Sequence, residues 1–397
     1  MPPTPAPTPG ETPGRSARTT GPGTSTAHAV SPDSGEHWSA EGAWPVADGL
    51  HRIPLPLPND GLRAVNVYAL ETDDGLTLVD GGWALPAARA VLERSLARIG
   101  AGVGDVRRFL VTHVHRDHYT LASQLAGETG AHVSLGIGDK PALDLFHSDA
   151  WPGRSPFPDV LRTAGAHGVA ERWEEHARSQ EEFDLGHWAY PDAWLEGDHR
   201  LEVGTRTLDA VHTPGHTPGH YVFADRAAGL LLSGDHVLPT ITPSIGFTVP
   251  VVASPLGDFM ASLARVRELP DLRVLPAHGP VAPSSHARVD ALLAHHEHRL
   301  ALCLEALRGG SVSAADVAAV LPWTRHDHAW ASLDVFNQGM AAMETKAHLD
   351  LLVAREQVDA TPDPAGVVSY AARLGSPTAG GENGPAGAGT GPADDGE

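Results

Sequence analysis

Cysteine is almost missing: Cys303 stands alone among 397 residues. That excludes an intramolecular disulfide and a thiolate cage for structural zinc, so any metal must be held by histidine and carboxylate. Basic charge is also short, with 28 Lys and Arg against 49 Asp and Glu and a formal net charge of −21. Nucleic-acid binding draws most of its affinity from cations that neutralise phosphates, so a nucleic-acid partner is disfavoured and a small-molecule substrate is expected. No apolar run is long enough to cross a bilayer, and no basic start leads into an apolar segment. Neither a membrane span nor an export signal is expected, and the expected location is the cytoplasm. Residues 1–40 and 375–397, rich in Pro, Gly and small polar residues, hold almost no large apolar side chain. They cannot bury enough surface to offset the entropy of ordering, and both read as tails.

Between these ends the chain alternates strand-like and helix-like periodicity. Ala64–Leu70, a turn at Asp73-Asp74-Gly75 and Leu76–Val79 read as a β-hairpin ending at Asp80. Leu85–Ile99 has helical spacing and stops at Gly100; Val106–Thr112 is a short apolar strand, Leu121–Glu128 a helix and Ala131–Ile137 another strand. From 139 to 196 the rhythm breaks, and Trp151, Phe157, Trp173, Phe183, Trp188, Tyr190 and Trp194 fall among polar stretches. This segment reads either as a lid or pocket wall beside a site or as an aromatic pad on the core. Strands resume at His199–Val211, Tyr221–Ala224 and Leu230–Ser233, followed by a helix over Leu256–Leu269 and a strand over Leu272–Leu275. Two strand-rich halves with outer helices predict an α/β fold, an αββα sandwich. From 284 to 362 the pattern becomes helical, with Ser284-Ser285 and Ser313 as caps and Gly309-Gly310 as a stop.

The chemistry sits at the strand ends. Thr112-His-Val-His-Arg-Asp-His118 crowds four ligand-type side chains together, which desolvation would penalise without a cation to offset it. His113 and His115 can point one way from an extended stretch, while Asp117 and His118, around the turn, can face a second ion. Val211-His-Thr-Pro-Gly-His-Thr-Pro-Gly-His220 joins two strands through rigid Pro-Gly turns. Ser233-Gly-Asp-His236 and Pro276-Ala-His-Gly279 each present a ligand type after an apolar strand. His132, His212, His220 and His236 occupy no ligand position and read as structural, and Cys303 reads as a buried helix residue.

These motifs, HVHRDH, TPGHTPGH, SGDH and PAHG in that order, resemble those of the metallo-β-lactamase-fold hydrolases over roughly Val46–Pro283. The resemblance implies a catalytic domain over 41–283. It also implies a first metal on His113, His115 and His216, a second on Asp117, His118 and His278, and Asp235 bridging both. Asp80 is similar to the family's supporting aspartate. Two zinc ions per chain are implied, with iron or manganese as alternatives. Two divalent ions sharing a water lower its pKa and polarise an electrophilic oxygen, so no Ser or Cys nucleophile is required, and Asp117 and Asp235 would orient the attacking oxygen. Residues 284–362 resemble the winged-helix extension of some members. Their acidic balance points to packing, homodimerisation or pocket-building rather than to DNA.

Hydrolysis of a small ester, thioester or lactone is the expected activity. A phosphodiesterase or endoribonuclease of the same fold is the alternative, and net charge opposes it. A mononuclear iron oxidoreductase similar to persulfide dioxygenases is another, opposed by the complete ligand set.

Overall fold

The structure, a computed structural model, describes residues 29–58, 62–149, 151, 155–178, 184–323 and 328–373. The expected tails at 1–28 and 375–397 lie outside the described residues. The first sheet takes its strands in chain order: β1 (Trp44–Ala47), β2 (Leu50–Pro56), β3 (Ala64–Thr72), β4 (Gly75–Val79), β5 (Val106–Leu110), β6 (His132–Gly136) and β7 (Ala193–Leu195). The expected hairpin is β3 and β4, with Tyr68 opposite Val79. From β4 onward neighbours run parallel, through β5 and β6 to β7. The second sheet has the order β12-β11-β10-β9-β8, where β8 is His199–Val203, β9 Arg206–His212, β10 Tyr221–Asp225, β11 Leu230–Gly234 and β12 Arg273–Pro276. The single strand read at 199–211 is thus two strands, turned at Gly204, whose φ of +56° suits a residue without Cβ.

Facing side chains bind the sheets together: Leu50, Tyr68, Leu70, Val79 and Leu110 pack on Leu208, Tyr221, Phe223, Leu232 and Leu275. The other face of the first sheet is covered by α1 (Pro86–Arg98), α2 (Arg116–Thr129) and α3 (Lys140–Phe146). On the far face of the second lie α6 (Pro255–Glu268), α7 (Ser285–Arg308), α8 (Ala314–Val320) and α9 (Val335–Ala354). The result is an αββα sandwich, built as apolar faces require. The C-terminal helices share one apolar core with the second sheet, Val222 and Val274 clustering with Leu300, Leu304 and Leu352, so they are a layer of the sandwich. A hairpin of β15 (Val358–Pro362) and β16 (Val368–Ala372) follows α9, and a short one of β13 (Pro322–Trp323) and β14 (His328–Ala329) precedes it.

Two readings of the sequence need correction. Residues 29–40 are folded, because Ser31 and Trp38 are buried and Asp33 pairs with the fully buried Arg52. Composition hides this, since the docking depends on a strand residue far along the chain. The segment 139–196 is also not a single excursion: β7 returns to the first sheet, and α4 (Phe157–Thr163) and α5 (His167–Arg178) pack on α9 through Leu161, Val169, Trp173 and Met343. No described helix is long and apolar enough to cross a membrane.

Three buried histidines that are not among the seven ligand-type residues make stability pH-dependent. Burial holds His236 down to about 3, His296, with His348 beside it, down to about 2, and His348 down to about 3. The folded protein keeps them neutral, while the unfolded chain protonates them below about 6.5. With depressed folded values, their contribution is whole above pH ~6.5 and is lost, at about 1.4 kcal/mol per unit per residue, as pH falls toward 3. Urea midpoints are expected to drop steeply below pH ~6.5 and less steeply in a His296→Gln/His348→Gln variant. Identical slopes in parent and variant would contradict this.

Candidate metal centre

The parallel strands deliver their C-terminal ends to one rim of the sandwich. His113 and His115 lie in the connection from β5 to α2, and His115, in extended backbone, is the N-cap of α2 (φ −61°, ψ 150°). The sequence reading began that helix at Leu121; it begins at Arg116, so Asp117 and His118 lie on its first turn. A carboxylate there suits the unpaired N–H groups of a helix N-terminus. His216 comes from the β9–β10 connection, Asp235 from the end of β11 and His278 from the end of β12. Gly234, the last residue of β11, has φ +50°, and a Cβ there would lie 2.7 Å from His220 Nε2. Only glycine lets Asp235 approach.

All seven residues named from the motifs converge. Three sets, His113/His115/His216, His113/His118/Asp235 and Asp117/His118/His278, each bring their ligand atoms within 4.8 Å of one another. In the first locus, His115 Nδ1 lies 3.0 Å from both His113 Nε2 and His216 Nε2. In the second, His278 Nε2 lies 3.4 Å from Asp117 Oδ2, and His118 Nε2 lies 3.7 Å from the same oxygen. Asp235 stands between: its Oδ2 is 3.5 Å from His216 Nε2 and its Oδ1 3.4 Å from His278 Nε2. His118 Nε2, His278 Nε2 and Asp235 Oδ1 are buried and have no hydrogen-bond partner. Such atoms are costly to leave unsatisfied. Their convergence fits a cation, and the N and O donor set fits a divalent one.

The outward nitrogens are anchored. His118 Nδ1 donates to Asp80 Oδ2 (2.9 Å), His216 Nδ1 to the Ser244 carbonyl (2.9 Å), and His278 Nδ1 to the Ala64 carbonyl (2.8 Å). His113 Nδ1 meets Thr112 Oγ1 at 3.0 Å, and that hydroxyl donates to Asp80. Such partners fix which ring nitrogen faces a metal. Asp80 sits at φ +62°, a conformation Asp tolerates, and also accepts the Thr112 N–H at 2.7 Å.

Electrostatics separate the two loci. Burial pushes His113 well below the ordinary imidazole range, His115 down to about 3 and His216 down to about 4, so the first locus presents neutral nitrogens. Burial also opposes charge on His118, but Asp80, Asp117 and Asp235 outweigh it and carry His118 up to about 10. Asp117, despite burial, is held far below the carboxylate range by His118 and His278. The second locus is anionic enough to hold a proton where a metal could sit.

Two supporting residues escaped sequence reasoning. Asp139, just beyond β6, accepts from Val114 N (2.9 Å), Thr217 Oγ1 (3.1 Å) and Gly219 N (2.8 Å), tying the His113–His115 loop to the His216 loop. Burial raises it to about 6. Its signal was weaker than that of Asp80 and Asp235, which follow their strands at once, because Ile137 and Gly138 separate Asp139 from the end of β6. His220, read as structural, bonds Thr213 Oγ1 through Nδ1 (2.9 Å) and accepts the Asp235 N–H through Nε2 (3.1 Å), so it holds the backbone of Asp235. His132 is exposed, His212 meets the Pro218 carbonyl, and His236 and Cys303 are buried.

Residues 60–278, carrying all these side chains, match the Metallo-beta-lactamase superfamily. The chain belongs to that family. A β-lactamase domain protein from Burkholderia ambifaria has a similar structure (TM-score 0.71, 27% identity, covering 87% of this chain and 98% of that one). The probable metallo-hydrolase YqjP of Bacillus subtilis is 25% identical over 315 residues, 77% of this chain and 92% of YqjP. The atrochrysone carboxyl ACP thioesterase AgnL7 of Paecilomyces divaricatus is 24% identical over 246 residues, 62% of this chain; the match spans only 60% of AgnL7. As a metallo-β-lactamase-superfamily member the chain is an enzyme, a hydrolase with His and Asp clusters suited to divalent metal ions.

Proposed function

We propose that the enzyme hydrolyses small organic esters, thioesters or lactones with two divalent ions, zinc foremost. His113, His115 and His216 would hold the first, Asp117, His118 and His278 the second, and Asp235 both. The observation that carries this is Asp235, whose two oxygens face different clusters at 3.5 and 3.4 Å. When bound, the ions supply Lewis acidity toward a carbonyl oxygen and a lower pKa for water. The residues of the chain do the rest. Asp117 and Asp235 accept hydrogen bonds from the attacking water and aim its lone pair, and Asp80 and Asp139 keep the histidine loops in register.

An aromatic wall beside the first locus supports an organic acyl substrate. Phe247 lies 6.4 Å from the His115 ring and stacks on Phe157 at 4.2 Å, and the exposed Phe336 stacks on Trp173 at 5.2 Å. The net charge of −21 disfavours polyanionic substrates. AgnL7, by its name, is a thioesterase.

The test is a panel of acetyl and bulky aromatic acyl thioesters and esters, lactones and bis(p-nitrophenyl) phosphate, with parent and Phe247→Ala. The parent is expected to favour the aromatic acyl compounds. Phe247→Ala is expected to raise their KM about tenfold, the loss of roughly 1.4 kcal/mol of ring contact, and to leave acetyl substrates unaffected. Preference for the phosphodiester, or equal KM values in parent and variant, would count against the reading.

A further inference from the structure

The end of β12 has little regular structure to hold it, yet His278 is buried and its ring fixed. The support comes from β2, β3 and the N-terminal segment. Arg52 on β2 is fully buried; its Nε donates to Asp33 Oδ2 (2.8 Å), and its Nη1 to the Trp38 carbonyl (2.6 Å) and to Asn66 Oδ1 (3.0 Å). A carboxamide can present either its oxygen or its nitrogen, and the guanidinium decides the matter by claiming the oxygen. The Asn66 Nδ2 is thereby aimed at the loop, donating to the Pro276 carbonyl (2.9 Å) and the Gly279 carbonyl (3.0 Å), on either side of His278. Asn66 N donates to the Ala277 carbonyl (2.7 Å), Tyr68 Oη to the Pro276 carbonyl (2.8 Å), and Val281 N to Ser31 Oγ (3.1 Å). Ser31 Oγ in turn donates to Asp33 Oδ1.

We infer that Asp33, Arg52 and Asn66 are positioning residues for His278, and that the folded segment 29–40 thereby sets the affinity of the second metal locus while leaving the first alone. The inference rests on the dinuclear reading above. A buried ion pair by itself gives little net stability. Here the pair has a mechanical output, because it fixes the amide orientation that clamps the carbonyls around one ligand. None of these contacts reaches His113, His115 or His216.

Two measurements on the full chain test this, with parent, Asn66→Ala, Asn66→Asp and Ser31→Ala. Cobalt(II) titration is expected to show the second ion weakened roughly 10–100-fold in both Asn66 variants, as for other residues that orient metal ligands, and the first unchanged. Asn66→Asp is the sharper variant: it keeps a partner for Arg52 while removing the two donors to the loop. Hydrogen exchange on chelator-treated protein is expected to be faster across 277–282 in the Asn66 variants and at Val281 in Ser31→Ala, with 111–119 unchanged. Should the Asn66 variants fail to fold, Ser31→Ala, which removes one hydroxyl that accepts from Val281 N and donates to Asp33, carries the exchange test. Equal weakening of both ions, or unaltered exchange in a folded variant, overturns the inference. A parent that binds one ion contradicts the dinuclear reading, and the exchange data then decide on their own whether Asn66 and Ser31 hold the His278 loop.

Discussion

Asp235→Ala is expected to lower kcat/KM by about a thousandfold with little loss of fold, the equivalent of about 4 kcal/mol of transition-state stabilisation. Asp235 is, among the described residues, the one side chain with an oxygen toward each cluster, so its removal uncouples the loci and takes away an acceptor for the attacking water. Little else depends on its carboxylate: Oδ1 has no hydrogen-bond partner, and the contact from His220 is made to the backbone nitrogen, which Ala retains. Asp235→Asn should fall between parent and Ala, since it keeps the shape and loses the charge. The measurement is initial rates on the preferred acyl substrate beside a thermal melt of each variant. Turnover equal to that of the parent in a normally melting Ala variant would contradict the assignment.

Removing divalent ions with a chelator is expected to lower Tm by on the order of 10 °C, because a ligand present at a thousandfold excess over its Kd adds about 4 kcal/mol, and a domain of this size loses a few degrees per kcal/mol. The ligands come from β5, α2, the β9–β10 connection, β11 and β12, so bound ions would cross-link both sheets. The stripped protein should stay folded, since His118, held up to about 10, can keep a proton among Asp80, Asp117 and Asp235. Differential scanning calorimetry before and after chelation, and after zinc is restored, reads the effect. Identical melting in all three states would mean that the clusters bind no structural cation.

What the sequence made legible follows from how specific each signal is. HVHRDH, TPGHTPGH, SGDH and PAHG carry residue types that packing alone would not crowd at strand ends, and all seven ligand-type side chains come together in space. The sandwich was legible because apolar periodicity marks most strands and helices directly. The three-residue edge strand β7 was not, because it is too short for a period to register. The start of α2 was missed because His115, Arg116 and Asp117 have no helical apolar pattern, and capping by backbone conformation leaves no mark in composition. Asp139 and His220 act through neighbours brought close by folding, and Ser244 and Ala64 act through carbonyls that any residue would offer. The docking of residues 29–40 was invisible for a similar reason: Ser31 and Asp33 look like solvated tail residues until Arg52 is known to be buried.

We propose that this metallo-β-lactamase-superfamily enzyme works with two divalent ions on separate but bridged loci. Elemental mass spectrometry of protein purified without chelator, in parallel with His115→Ala and His278→Ala, counts those ions. Close to two divalent ions per chain in the parent, falling toward one in each variant, is the predicted result. A single ion per chain in the parent that His278→Ala leaves untouched would contradict it.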